Sequence, residues 1–70
     1  MPFINVKQLS GRSEEQNAQI VRALTEAYAG ITGVDPEKIW VAVEEIPPTH
    51  WSIAGETFAA KKAKAAAEDR

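Results

Sequence analysis

Pro2 is the residue of this chain whose position offers the clearest chemistry. Aminopeptidases generally remove an initiator methionine when the second residue is small, and proline qualifies. Removal of Met1 leaves Pro2 with a secondary amine, and an unperturbed α-amine has a pKa of about 7.7–8.0, nearer neutrality than that of any lysine. Burial and a nearby cation would both lower that pKa towards the optimum for a general base. The plain alternative is that Pro2 only follows the start codon.

Two stretches alternate in polarity and predict short strands over residues 2–9 and 38–46. Prolines at 47 and 48 end the second, because proline cannot donate to a strand ladder. One face of the predicted pair carries the apolar residues Ile4, Val6, Ile39, Val41 and Val43. The opposite face carries Phe3 and Leu9, with Trp40 added in one register.

A helix is predicted between the strands. Ser13 and Gln16 have the spacing of a capping box, in which each side chain satisfies a free backbone N–H at a helix start. An apolar stripe follows at helical spacing, made of Ile20, Leu24, Ala27 and Ile31 and widened by Val21 and Tyr28. Asp35-Pro36-Glu37 predicts one short helical turn before the second strand.

The remainder of the chain predicts a loop or small hairpin over 49–55 and a helix-prone tail from Thr57. The tail is rich in alanine and lysine, with Phe58 as its one large apolar side chain. We interpret residues 1–70 as a single domain, with a core over 2–56 and the tail over 57–70.

Length and composition restrict the classes of protein. Seventy residues without cysteine and with one histidine exclude a disulfide scaffold and disfavour a zinc site. Thirty-one residues are apolar, but 12 of them are alanine, so 19 larger side chains remain to build a core. A chain of this size buries only about 60% of its unfolded surface. Self-association is therefore predicted.

Charge and hydropathy give no reason to expect nucleic acid or membrane as a partner. The formal charge is −2, whereas a nucleic-acid-binding face is normally strongly basic. The longest unbroken apolar run, residues 39–43, is far too short to cross a bilayer. We expect a cytoplasmic protein with no metal and no cofactor.

The order strand, helix, strand predicts an α/β (α+β) fold, a single β-α-β unit with two parallel strands. One helix covers only one face of such a pair. A parallel pair with an apolar face exposed to water is not stable, so we expect a second copy of the chain to cover that face.

The chain resembles the 4-oxalocrotonate tautomerase family. The resemblance covers roughly residues 2–56 and rests on Pro2 opening a strand, Gly11-Arg12-Ser13 before the helix, and a loop aromatic followed by Gly55-Glu56. It implies a β-α-β subunit that dimerises and assembles as a homohexamer, a trimer of dimers. It also implies an isomerase of aromatic compound catabolism that moves a proton between oxygen and carbon of a 2-hydroxy-dienoate or similar enol or keto acid.

Residue by residue, the resemblance makes Pro2 the general base and Arg12 the group that holds a substrate carboxylate. Trp51 stands where the family has an aromatic that forms an apolar wall and helps to lower the pKa of the proline. Arginine suits the carboxylate because its guanidinium is a two-pronged donor.

Trp40 departs from the family pattern. The best-studied members have a second arginine at this position, which polarises the 2-oxygen of the substrate and its adjacent carboxylate. Tryptophan offers only an indole N–H. Lys38, two residues earlier and on the same predicted strand face, could partly substitute as a point charge. A less charged or more aromatic enol than the diacid 2-hydroxymuconate therefore becomes plausible.

A second hypothesis remains open. The chain could be a non-catalytic oligomer that keeps the fold as a ligand-binding or scaffolding subunit. Trp40 favours it, and so would a retained Met1, because Pro2 is then a tertiary amide without a basic nitrogen. The intact mass of the protein distinguishes the two hypotheses.

Overall fold

Two parallel strands joined by a helix form the body of the chain. In the computed structural model, which describes residues 1–68, β1 covers Phe3–Leu9, α1 covers Glu14–Thr32 and β2 covers Trp40–Ile46. The register pairs Phe3 with Trp40 at one end and Leu9 with Ile46 at the other. The predicted β-α-β unit, a small α+β fold, is confirmed.

The start and end of α1 are fixed by their caps. The Ser13 hydroxyl accepts from the Gln16 N–H at 3.1 Å, and the Gln16 side chain accepts from the Ser13 N–H at 3.1 Å. At the other end Gly33 has a φ of 77°, which glycine adopts without strain, and its N–H donates to the Ala29 carbonyl at 2.8 Å. The predicted capping box is therefore confirmed.

The apolar stripe of α1 differs from the predicted one at its end. Ile20, Val21, Leu24 and Tyr28 are half-buried as expected, whereas Ala27 is exposed and Ile31 is 86% exposed. Nineteen helical residues extend about 28 Å, but seven strand residues extend only about 23 Å. The last turn of the helix thus overhangs the sheet, and Ala27 lies on the shoulder of the stripe.

The second strand begins later than predicted. Pro36–Lys38 forms a 3-10 helix in which the Asp35 carboxylate accepts from the Glu37 N–H at 3.0 Å. The Lys38 N–H donates to the Asp35 carbonyl at 2.9 Å. The prediction that residue 38 belongs to the strand is wrong, because the cap and the proline hold it in this turn.

The segment after β2 forms a small unit of its own. A 3-10 helix covers Pro48–His50, β3 (Ser52–Ile53) and β4 (Glu56–Thr57) form a hairpin, and α2 covers Phe58–Glu68. Ala54 and Gly55 have φ angles of 55° and 84°, as the two central residues of a type I′ hairpin turn do. Of the loop or small hairpin predicted over 49–55, the structure has the hairpin, which extends two residues further to Thr57. The predicted tail is helical from Phe58, and its residues 69 and 70 lie outside the described part.

Residues 1–67 do not form a buried core of their own. Ile39, 7% exposed, is the one buried residue within 1–67. The accessible surface is 5443 Å², whereas a compact monomer of 7.6 kDa exposes about 4300 Å². The radius of gyration is 16.5 Å, against about 11 Å for a compact chain of this length. Apolar surface is thus left for another molecule to cover.

Candidate active site

Pro2 lies immediately before β1 and is held there by the sheet. Its carbonyl accepts a hydrogen bond from the Trp40 N–H at 3.1 Å, and its side chain is half-buried. Met1 precedes the strand and is 79% exposed, so an aminopeptidase can reach it. Removal of Met1 would turn the Pro2 nitrogen from an amide into an amine while the carbonyl stays paired.

An aromatic pair lies beside Pro2. Phe3 and Trp40 are register partners at the start of the two strands, and they are 61% and 55% exposed on the sheet face that α1 leaves open. Lys38 lies in the 3-10 helix before β2. The strand alternation that would place Lys38 on the same face as Trp40 therefore does not extend to it.

Arg12 occupies the short connection between β1 and α1. The Ser10 N–H donates to the Ile46 carbonyl at 3.0 Å, which continues the strand pairing by one residue. Gly11 has a φ of 125°, a conformation that favours glycine, and Ser13 is the helix cap. The exposed Arg12 side chain is thus displayed at the carboxyl end of β1.

Pro2 and Arg12 do not meet within one chain. They flank β1 on opposite sides, and its seven residues extend about 23 Å. This separation exceeds the combined length of a small enol acid and an arginine side chain. A site that uses both residues must take them from different copies of the chain.

Trp51 follows the 3-10 helix Pro48–His50 and is half-buried. Its carbonyl accepts from the Phe58 N–H at 2.7 Å, so the start of α2 fixes its backbone. Trp51 comes after the carboxyl end of β2, whereas Pro2 and Trp40 lie at the amino ends of the strands. The structure therefore brings together Pro2 and Trp40 of the five predicted site residues.

A group of hydrogen-bonded polar residues was not predicted from the sequence. Asn17 accepts from the Gln8 side chain at 2.8 Å and donates to the Glu45 carboxylate at 2.6 Å. The signal was present in the pattern, because Gln8 continues the face of Ile4 and Val6, and Asn17 lies three residues before Ile20. Two polar residues at apolar-face positions indicate that they satisfy each other.

Three further features of the described residues concern grooves, clusters of metal-ligating side chains and helices that could cross a membrane. An open groove of about 580 Å³ lies against α1, lined by Ala18, Val21, Arg22, Thr25, Glu26 and Pro36, and it includes none of the predicted site residues. Within residues 1–68 there is no cluster of three His, Cys, Asp or Glu side chains that could hold a metal. No helix in that same range is long and apolar enough to cross a membrane.

Comparison with known proteins identifies relatives over most of the chain. Residues 2–61 match the family model described as "Tautomerase enzyme". The 2-hydroxymuconate tautomerase of Bacillus subtilis (strain 168) is 44% identical over 55 residues, which are 79% of this chain and 89% of the relative.

Solved structures agree with these matches. A 4-oxalocrotonate tautomerase homologue in the tomaymycin biosynthetic pathway superimposes with a TM-score of 0.86 at 39% identity, covering 89% of this chain and 95% of that one. A heterohexamer 4-oxalocrotonate tautomerase from Chloroflexus aurantiacus J-10-fl gives a TM-score of 0.80 at 37% identity, covering 84% and 95%.

Proposed function

The chain belongs to the tautomerase family, and from that premise we propose that it is a cofactor-independent tautomerase with Pro2 as its general base. Family membership supports an isomerase-type enzyme. The observation that carries the finer proposal is the position of Pro2, whose carbonyl accepts from the Trp40 N–H at 3.1 Å while its nitrogen forms the peptide bond to the exposed Met1. A base held in this way keeps its position when the methionine is removed.

The proposed reaction returns the base to its starting state. The neutral Pro2 amine takes the proton from the hydroxyl of a 2-hydroxy-dienoate, and the electron pair moves through the conjugated system. The protonated amine then gives the proton to a substrate carbon, so the enol becomes a ketone and no atom is gained or lost. An amine serves both steps because the pKa of an α-amine lies near neutrality.

Arg12 is proposed to hold the carboxylate that every such substrate carries. Its guanidinium binds a carboxylate through two parallel N–H donors, and its exposure in the β1–α1 connection leaves it available to a neighbouring copy. Trp51 is proposed to form an apolar wall of the substrate-binding site. Because β1 extends about 23 Å, we propose that Pro2 and Arg12 of one site come from different copies of the chain.

Trp40 is proposed to set the substrate class. Its indole and the Phe3 ring form an exposed apolar surface next to Pro2, and neither offers a charge to a second carboxylate. We therefore expect an enol acid with one carboxylate and an apolar or aromatic remainder. A diacid such as 2-hydroxymuconate would be converted less efficiently.

Self-association completes the proposal. The chain exposes about 1100 Å² more than a compact monomer of its mass, and Phe3 and Trp40 lie on its open sheet face. A homohexamer is the assembly that we expect. Sedimentation at micromolar concentration should give a species several times heavier than 7.6 kDa, and a stably folded monomer would contradict this part.

The decisive experiment combines intact mass with an activity panel. We expect the purified protein to lack Met1 and to tautomerise phenylenolpyruvate with a higher kcat/KM than 2-hydroxymuconate. A matched variant, Pro2→Leu, keeps Met1 because the second residue is then large, and it should be inactive. Equal activity of the two proteins would remove Pro2 from the mechanism, and an inactive processed protein would favour a binding subunit.

A further inference from the structure

The side chains of Gln8, Asn17 and Glu45 join three elements at one point. Gln8 and Glu45 are register partners near the ends of β1 and β2, and Asn17 lies near the start of α1. The Asn17 amide oxygen accepts from Gln8 at 2.8 Å, and the Asn17 amide nitrogen donates to Glu45 at 2.6 Å. One amide group therefore fastens the helix to both strands.

The chemistry of the three groups fixes the direction of these bonds. An ionised glutamate accepts hydrogen bonds and cannot donate them. The Asn17 NH₂ must therefore face Glu45, which leaves its oxygen for the NH₂ of Gln8. The amides of Gln8 and Asn17 can therefore form both hydrogen bonds only when residue 45 carries an acceptor such as a carboxylate.

This cluster adjoins the connection between β1 and α1 that carries Arg12. The Asn17 N–H donates to the Ser13 carbonyl at 3.0 Å, and the Ser10 N–H donates to the Ile46 carbonyl at 3.0 Å. Only Gly11 and Arg12 separate Ser10 from Ser13. When the start of α1 is fixed relative to β1 and β2, the backbone of Arg12 has little freedom.

We propose that Asn17 is a positioning residue for Arg12, acting through its simultaneous hydrogen bonds to Gln8 and Glu45. This rests on the proposed function in one respect, namely that Arg12 holds the substrate carboxylate. Asn17 lies on the side of α1 that contacts β1 and β2, and the role proposed for it is to position Arg12 and not to contact substrate. It fixes the position of the Arg12 guanidinium in the substrate-free protein.

Replacement of Asn17 by aspartate tests the proposal with little change of shape. The carboxylate introduced by Asn17→Asp would still accept from Gln8 but would face the Glu45 carboxylate without a proton donor. The double variant Asn17→Asp/Glu45→Gln restores a donor, because the new amide at position 45 can donate to the new carboxylate at position 17. The network is then intact with its second bond reversed, which makes the double variant the matched control.

Steady-state kinetics of the intact oligomer provide the first readout. We expect N17D to raise KM for phenylenolpyruvate about tenfold with kcat within about twofold, since a misplaced binding group weakens capture of the carboxylate. The double variant should return to the wild-type KM. In an Arg12→Ala background, N17D should change KM little, because the group through which it acts is gone.

Amide hydrogen exchange of residues 10–14 gives a readout that does not require turnover. Exchange should be faster in N17D and normal in the double variant. Unchanged exchange in N17D would overturn the proposal, and so would faster exchange with an unchanged KM, or an equal loss in the Arg12→Ala background. If the wild-type protein converts no enol acid, the proposed function is wrong. The exchange result alone then tests whether Asn17 anchors the connection between β1 and α1.

Discussion

Two variants that are each strongly impaired alone should regain activity when they share an oligomer. The first is Pro2→Leu, which removes the proline and keeps Met1 in place. The second is Arg12→Ala, which removes the proposed carboxylate-binding group. Each variant has the group that the other lacks, and β1 separates the two groups by about 23 Å within any one chain.

The size of the effect follows from the separation. Loss of a charge-assisted hydrogen bond costs about 1.5–3 kcal/mol, so Arg12→Ala should retain roughly 1–10% of the wild-type kcat/KM. Pro2→Leu should retain almost none. In a random equal mixture each site draws its Pro2 and its Arg12 from independent copies, so about one quarter of the sites are complete.

The assay mixes the unfolded variants in equal amounts, refolds them together and measures phenylenolpyruvate tautomerisation. Activity near a quarter of that of refolded wild-type protein is expected. Each variant refolded alone provides the baseline, and variants mixed after folding control for slow exchange of subunits. All samples should sediment as the same species.

Activity equal to the mean of the two parents, roughly 5% at most, would refute the reasoning. It would mean that Pro2 and Arg12 of one chain serve the same site, or that Arg12→Ala impairs only the site to which its own chain contributes Pro2. A native mass spectrum that contains only the two single-variant oligomers would show that the variants do not mix, and the test would then be repeated with the two chains co-expressed.

Three further results are expected. Trp40→Arg should raise the ratio of kcat/KM for 2-hydroxymuconate to that for phenylenolpyruvate by roughly tenfold or more, because a charge-assisted contact to a carboxylate contributes about 1.5–3 kcal/mol; a flat ratio would mean that residue 40 does not face the site. Pro2→Ala should reduce kcat while the oligomer persists, since a primary amine replaces the ring; full activity would show that the ring is dispensable. Ser13→Ala should lower the free energy of unfolding by about 1 kcal/mol per chain in urea titrations, with Ser13→Thr as the control that retains the hydroxyl; equal losses would show that the cap is not responsible.

Local patterns predicted most of the fold. Alternation at residues 3–9, the Ser13–Gln16 capping box and the prolines at 47 and 48 each act over a few residues, and each has the effect that was expected. Ile31 could not be placed in this way, because its exposure depends on the helix being longer than the strands beneath it. Lys38 is a different case, because the cap and the proline that hold it in a turn are local signals, and they outweigh the strand alternation that was extended to residue 38.

The candidate site was harder to predict than the fold. Pro2 stood out by its position and Arg12 through the family resemblance, but strand alternation cannot show that the two residues flank β1 at opposite ends of one chain. The bond between Asn17 and Glu45 joins residues 28 positions apart, which only the folded chain reveals.

The absence of any spacer between Pro2 and β1 restricts how this polypeptide can be modified. The strand begins at Phe3 and the Pro2 carbonyl is already part of its pairing, so a catalytic Pro2 leaves no room for an affinity tag or fusion partner at the front. At the other end, α2 continues to Glu68, beyond residue 61 where the family match stops. Purification handles, reporters and linked second subunits therefore belong after α2, and a leader at the front should be one that a protease removes up to Pro2.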